Sequence, residues 1–273
     1  MSPSTCASSR RVSSQQRGKA VFTQLRQVIR YPFLAPDWQS RYWIGVGLFV
    51  LGFIIPLVPW LFVSGYFMRV LRSSIQEQEL VLPAWDDWGS LALDGLRQMV
   101  VTFVFLLPGF LVLFGGQVLY FISFFGATFS ASAGDPSNPM PILAMFGSMG
   151  IMFLSLALGM LLMFLGLIPL PMALAHCAAK GSLGAAFRFG EWWRLLRHNA
   201  WDYFIAWVVL IGLGMVLATP LMLAYYTLVL ICLVPFLTAL IGFYLLLIYG
   251  SLFGQVYRDS LQMVGDEEIA LTV

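Results

Sequence analysis

From Tyr203 to Tyr257 the chain runs 55 residues without an Asp, Glu, Lys or Arg. No other feature limits its fold so tightly. As one helix this stretch would be about 80 Å long, at about 1.5 Å per residue. The hydrocarbon of a bilayer is only about 30 Å thick and takes about 20 residues to cross. The stretch therefore crosses twice, by helices placed near Asp202–Leu223 and Leu228–Gly250. The turn falls at Ala224–Thr227, where Tyr225 and Tyr226 suit the membrane–water boundary.

Three more charge-free windows follow the same logic: Tyr42–Met68, Gln98–Gly134 and Pro136–Ala179. The second predicts a span near Gln98–Phe124. The third opens after the loop signal SASAGDPSNPMP, predicts a span near Ile142–Leu167 and ends on IPLP. Charged residues make up 10% of the chain and hydrophobic ones 60%, with a mean hydropathy of +0.85. Soluble domains carry about 25% charge, so that class is excluded. The fold expected is all-α: a multi-pass bundle of four full spans and one proline-broken embedded element, with two interfacial amphipathic helices. In domain terms this is a basic disordered tail over 1–20, a single membrane domain over 21–258 and a short C-terminal tail over 259–273. The tail is rich in Ser, Gln and Arg, and no acidic residue precedes Asp37. That composition fits an organellar transit peptide or an ordinary disordered tail. No apolar run of secretory type follows its arginines.

The window Tyr42–Met68 admits two readings. If it spans once, its basic flanks lie on opposite membrane sides, with seven cations before it and the other eight of the fifteen after it. If it turns back at Ile55–Trp60, where Pro56 and Pro59 allow a break, all fifteen Lys and Arg share one side. The positive-inside rule favours the hairpin, with both termini cytoplasmic. Its arms, about 12 residues each, would be too short to span.

A weak internal repeat is visible. One copy reads IPLVPW … PAWDDWGSLALDGLRQMVVTFVFL and the other IPLP … RFGEWWRLLRHNAWDYFIAWVVL. Aligning Trp88 with Trp192 sets Asp87 against Glu191 and Asp94 against His198. Each copy contains an amphipathic stretch. As a helix, Ala84–Gln98 has Pro83 at its start, Asp86 and Asp87 in its first turn, and a polar face at 86, 87, 90, 94, 97 and 98. Trp85, Trp88, Leu91, Ala92 and Leu96 form its apolar face. Neighbouring carboxylates at i and i+1 do not face each other on a helix, which argues against a catalytic pair and for an interfacial anchor. The second stretch, Leu183–Asn199, carries Arg188, Glu191, Arg194, Arg197 and His198 with Trp192 and Trp193. Arg188, Arg194 and Arg197 are candidates for anionic lipid headgroups, and the acidic stretch is an alternative partner for the basic one.

Chemical motifs are scarce. Neither His176 nor His198 has metal-ligand spacing, and Cys6, Cys177 and Cys232 suggest neither disulfides nor zinc. No metal or cofactor is expected, and no nucleophile elbow, P-loop or dinucleotide fingerprint occurs. The windows hold no ionisable group of the kind ion-coupled transporters need at depth. Gln117, after Gly115–Gly116, is the candidate embedded polar residue, marking either a pore or a helix contact. Gly45–Gly47 reads as packing glycines. Ser155–Gly159 and Gly250–Gly254 have the small-xxx-small spacing of close helix contacts.

The stretches RYPFLAPDW (Arg30–Trp38), GYFMRVLRSS (Gly65–Ser74), LPAWDDWGSLALDGL (Leu82–Leu96), NAWDYFIA (Asn199–Ala206) and GQVYR (Gly254–Arg258) resemble the prokaryotic membrane family known as domain of unknown function 4013, over roughly Val21 to Arg258. The resemblance implies a multi-pass bacterial or archaeal membrane protein and no particular activity. Two functions are consistent with the sequence. One is a non-enzymatic structural or assembly protein of the inner membrane, with the bilayer, a second copy or a membrane protein as partner and no nucleic acid. The other is a channel or uncoupled carrier for a small neutral or apolar solute.

Overall fold

The computed structural model describes residues 30–33, 37–76, 82–134, 138–227 and 231–272. The tail over 1–20 lies outside them. The described chain is helical, in the order α1 (Trp38–Ile54), α2 (Val58–Ile75), α3 (Trp88–Ala133), α4 (Met140–Leu167), α5 (Leu170–Lys180), α6 (Phe189–His198), α7 (Ala200–Tyr226) and α8 (Val234–Thr272). Short 3-10 turns lie at Tyr31–Phe33, Leu183–Phe187 and Ile231–Leu233.

Among the described residues, four segments are long and apolar enough to cross a membrane: Trp88–Ala133, Met140–Lys180, Ala200–Tyr226 and Val234–Gly265. Each contains, wholly or largely, one of the four expected spans. Their limits differ from expectation for local reasons. Helix α3 runs on to Ala133 because Thr128, Ser130 and Ser132 turn their hydroxyls onto the carbonyls of Phe125, Gly126 and Phe129 of the same helix, so polar residues do not end it. At 46 residues it is about 69 Å long. Helix α8 begins at Val234, just before Pro235, and passes the expected tail boundary at 258 without a break. Ser260 and Val264 are still buried there.

The chain separates into two units, one formed by 1–98 and 175–273 and the other by Met99–Leu174. In the first, α1 and α2 both pack on α8 around the buried ring of Phe243. Tyr42 lies 5.5 Å and Tyr66 5.9 Å from that ring, centre to centre. One of these tyrosines precedes the proline break and the other follows it, so the window folds back on itself. The arms are 17 and 18 residues long rather than about 12, because the helices extend outward through Arg41, Arg69 and Arg72. The reversal is a γ-turn: Leu57 sits at φ 81°, ψ −61°, and the Val58 N–H donates to the Pro56 carbonyl at 3.2 Å.

Helix α2 also crosses the first turns of α3 at backbone contact. A Cβ on Gly65 would collide with the Leu91 carbonyl, and one on Gly95 with the Leu61 carbonyl. Small residues at such a crossing let the two backbones approach closely and pack over a long contact. Gly250 and Gly254 place α8 against Phe67, Val70 and Ser74 of α2. In the second unit, α3 and α4 form an antiparallel hairpin in which Gly116 meets Ser155 and Gly159 meets Leu113. Both small-xxx-small pairs thus serve contacts inside the chain.

Candidate functional site

The segment before α3 is held by side chains of the helices around it. The Leu82 carbonyl accepts from Arg41, the Pro83 carbonyl from the Tyr66 hydroxyl at 2.9 Å, and the Ala84 carbonyl from Arg69 at 3.0 Å. The last two are the first carbonyls that a helix starting at Ala84 would need for its own ladder. Helix α3 consequently begins at Trp88, and the expectation of a helix from Ala84 is corrected. Asp87 precedes the helix as its cap: its Oδ1 accepts the Ser90 N–H at 3.2 Å, at a φ of 47° that aspartate tolerates. Ser90, through its hydroxyl and then its amide, holds the Asp87 carboxyl below its ordinary range. Asp86 pairs with Arg69, which also donates to the Asp87 carbonyl at 3.2 Å and to Ser90 Oγ at 2.8 Å. Trp85 stacks on Tyr66 at 4.0 Å with nearly parallel rings and donates its N–H to the Arg41 carbonyl at 2.7 Å.

The first turns of α3 depart from the expected interfacial helix at Asp94, Trp88 and Leu96, while Leu91 is buried and Asp86 and Asp87 are exposed as expected. Leu91, Asp94 and Gly95 face inward, while Trp88, Leu93 and Leu96 are exposed. A buried charge is kept where other side chains can pair with it. The Asp94 side chain, 5% exposed, meets Arg72 at 3.1 Å through Oδ2 and Arg97 at 2.8 Å through Oδ1. Arg72 also donates from Nε to the Ala178 carbonyl at 3.1 Å, tying α2 to the end of α5.

A second cluster lies on the next residues of α5. His176, its side chain 4% exposed, joins Tyr257 of α8 at 2.7 Å through Nδ1 and Glu191 of α6 at 3.0 Å through Nε2. Glu191 Oε2 also takes Lys180, and Oε1 takes Arg188 at 3.3 Å. Lys180 most of all, then His176 and Arg188, hold the Glu191 carboxyl at about 2, against a partial desolvation. Trp192 is 2% exposed and donates its N–H to the Ala186 carbonyl at 3.0 Å, so it is a core residue and not the surface anchor expected. The outer face of α6 carries Phe189, Trp193, Arg194, Arg197 and His198, and the Arg197 guanidinium lies over the Trp193 ring at 5.8 Å.

A family model described as "Protein of unknown function (DUF4013)" matches residues 48–226, more than half the chain. The chain belongs to this family. Neither the curated proteins nor the solved structures gave a match. The DUF4013 match takes in both acidic clusters and both proline breaks. It is narrower than the resemblance read from the sequence: RYPFLAPDW and GQVYR fall outside it. Those two stretches nevertheless belong to the same packed unit, since Phe33 stacks on Tyr244 at 6.0 Å and Tyr257 holds His176.

The structure thus gathers the sequence candidates of this DUF4013 chain into two places. Asp86 and Asp87 meet Arg69, with Trp85 on Tyr66 and Trp88 on Phe62 beside them, and Arg188, Trp192, Trp193, Arg194 and Arg197 belong to α6 and its start. Each acidic stretch is neutralised by the helix before it: Arg69 of α2 takes Asp86, and Lys180 of α5 takes Glu191. The internal repeat aligns Asp87 with Glu191, whereas the acid paired with the preceding helix in the first copy is Asp86, one residue earlier. Gln117 belongs to the other unit, half-buried beside the Gly116–Ser155 contact. Sequence reasoning missed the partners of the two clusters, namely Arg72 with Asp94 and His176 with Tyr257. The signal available was the charge of Asp94 on an otherwise apolar helix. Among the described residues, no three His, Cys, Asp or Glu side chains gather as a metal site.

Proposed function

We propose that this protein is a non-enzymatic structural or assembly protein of a prokaryotic inner membrane, and that it organises anionic lipid, or a membrane partner, through the outer face of α6. The observation that carries this reading is the make-up of that face. Helix α6 buries Trp192, Leu195 and Leu196 and turns out Phe189, Trp193, Arg194 and Arg197. Aromatic rings and guanidinium groups side by side suit the headgroup layer, where each basic residue adds about 1 kcal/mol toward anionic lipid. The acidic side chains of the two clusters are already matched by cations of the same chain. That supports a structural role for them rather than turnover of a substrate. The distribution of basic residues supports a cytoplasmic location for this face and for both termini.

The test is hydrogen exchange of residues 183–199 in nanodiscs of phosphatidylcholine with or without phosphatidylglycerol. Anionic lipid should increase protection in the wild type, and Arg194→Gln with Arg197→Gln should remove the increase. Equal protection in both bilayers would refute the lipid role. Solute flux through the protein in proteoliposomes would refute the structural role. Reporter fusions at the two ends test the topology, and an extracytoplasmic N-terminus would refute it.

A further inference from the structure

The clasp around Glu191 has the composition of a phosphate site filled by the protein's own carboxylate. Three donors from two segments converge on its two oxygens: Lys180 and His176 on Oε2, and Arg188 on Oε1. His176 is buried and fixed from behind by the Tyr257 hydroxyl at 2.7 Å. With the Tyr257 hydroxyl donating to Nδ1, the neutral ring presents Nε2–H toward Glu191. Lys180, Arg188 and Glu191 are open, with side chains 41%, 59% and 44% exposed. The donors are therefore built in, while the group they hold sits at the surface. The two non-bridging oxygens of a phosphodiester, bearing one negative charge, match the carboxylate in charge and in the donors they accept. Exposed ion pairs hold weakly, so exchanging one anion for the other is easy.

We propose that Lys180, Arg188 and His176 form a cradle for a phosphate ester, that Glu191 occupies it at rest, and that an incoming phosphate group displaces Glu191. The proposal rests on the reading of α6 as a face that meets anionic headgroups and gives that face a specific seat. It also makes Glu191 an internal competitor that sets the affinity of the seat. Displacement removes the one carboxylate from α6 and leaves its basic side chains to the ligand.

The experiment compares the full chain with Glu191→Gln in nanodiscs of phosphatidylcholine with phosphatidylglycerol, reading retained lipid by native mass spectrometry. The variant should retain several-fold more phosphatidylglycerol than the wild type. Adding Lys180→Gln and Arg188→Gln to it should return retention to the wild-type level or below. Unchanged or reduced retention in folded Glu191→Gln overturns the proposal. If that variant does not fold, Lys180→Gln with Arg188→Gln decides: retention below wild type supports the cradle, and unchanged retention overturns it. A thermal-shift arm separates the sources. Stabilisation of Glu191→Gln beyond wild type by inorganic phosphate as well as by phosphatidylglycerol assigns the cradle to phosphate groups in general. Stabilisation by phosphatidylglycerol alone assigns it to the headgroup, and stabilisation by neither overturns it. Loss of lipid-dependent protection in the Arg194/Arg197 variant, with no effect of Glu191→Gln, leaves the α6 face standing and removes the cradle. The reverse pattern keeps the cradle and removes the broader reading.

Discussion

Asp94 lies inside a helix whose outer surface is built for lipid, and Arg72 of the neighbouring α2 reaches its carboxylate at 3.1 Å. Removing one partner of a buried pair leaves the other unpaired, at a cost of about 3–5 kcal/mol when both are fully buried. Arg72 and Arg97 are about a third exposed here, so the solvent takes part of that loss. Asp94→Asn should therefore lower stability by about 2 kcal/mol, read as a drop in melting temperature in detergent. Combining it with Arg72→Gln should cost less than the sum of the two single changes. Additive costs would show that the pair is not coupled.

The two tryptophans of the PAWDDW segment have different surroundings. Trp85 stacks on Tyr66 and donates its N–H to the Arg41 carbonyl, whereas Trp88 is 45% exposed and meets Phe62 edge-on at 5.2 Å. Trp85 is partly buried, so Trp85→Ala should cost about 2–3 kcal/mol, below the range of fully buried large-to-small changes. Trp88→Ala should cost clearly less. Equal losses of melting temperature would contradict this placement of the two rings.

Glu191 makes stability depend on acid. Its carboxyl is held at about 2 in the folded chain, against an ordinary value of 4.5. A group depressed on folding stabilises the fold at pH values above its unfolded pKa. That contribution fades as pH falls through the unfolded value toward the folded one. Between pH 4.5 and about 2 the wild type should lose melting temperature more steeply than Glu191→Gln. Parallel curves across that window would mean the clasp contributes nothing.

Leu57 occupies a backbone conformation that only glycine adopts without strain. Relief of such strain is worth about 1–3 kcal/mol, and glycine gives back about 0.5–1 kcal/mol through the freedom it gains when unfolded. The Leu57 side chain is largely exposed, so its removal breaks little packing. Leu57→Gly should raise stability by about 1 kcal/mol, while Leu57→Val should lower it, because β-branching disfavours positive φ. Chemical unfolding in detergent would measure both, and a destabilising glycine would contradict the strain.

The spans were legible because a charge-free stretch of that length suits little except a bilayer crossing, and Pro56 and Pro59 marked the place where the first window reverses. The faces of α3 were harder to read. Asp94 and Arg97 sit at helical spacing and look like a solvated face as long as the solvent is taken to be water. Which side turns inward depends on Arg72, which approaches from another helix. His176 carries no local sign of its role, since Tyr257 is 81 residues away and Glu191 reaches it only once α6 has folded onto α5. Trp192 and Trp193 are neighbours of one residue type, and only packing distinguishes the buried ring from the exposed one. The start of α3 was misplaced because three side chains capture the carbonyls of residues 82–84, a competition that helix propensity does not register.

The unit Met99–Leu174 contains no Lys and no Arg. Nothing within Met99–Leu174 therefore carries the basic signal that would set its direction of entry into a bilayer. The basic residues nearest to it are Arg97 before and Lys180 after, each of which is also bound to a carboxylate in the finished fold. The residues that fasten the clusters together are thus also the nearest basic flanks of a segment that has none of its own. A mutation that unfastens a cluster by neutralising Arg97 or Lys180 therefore also strips a basic residue from one flank of this segment.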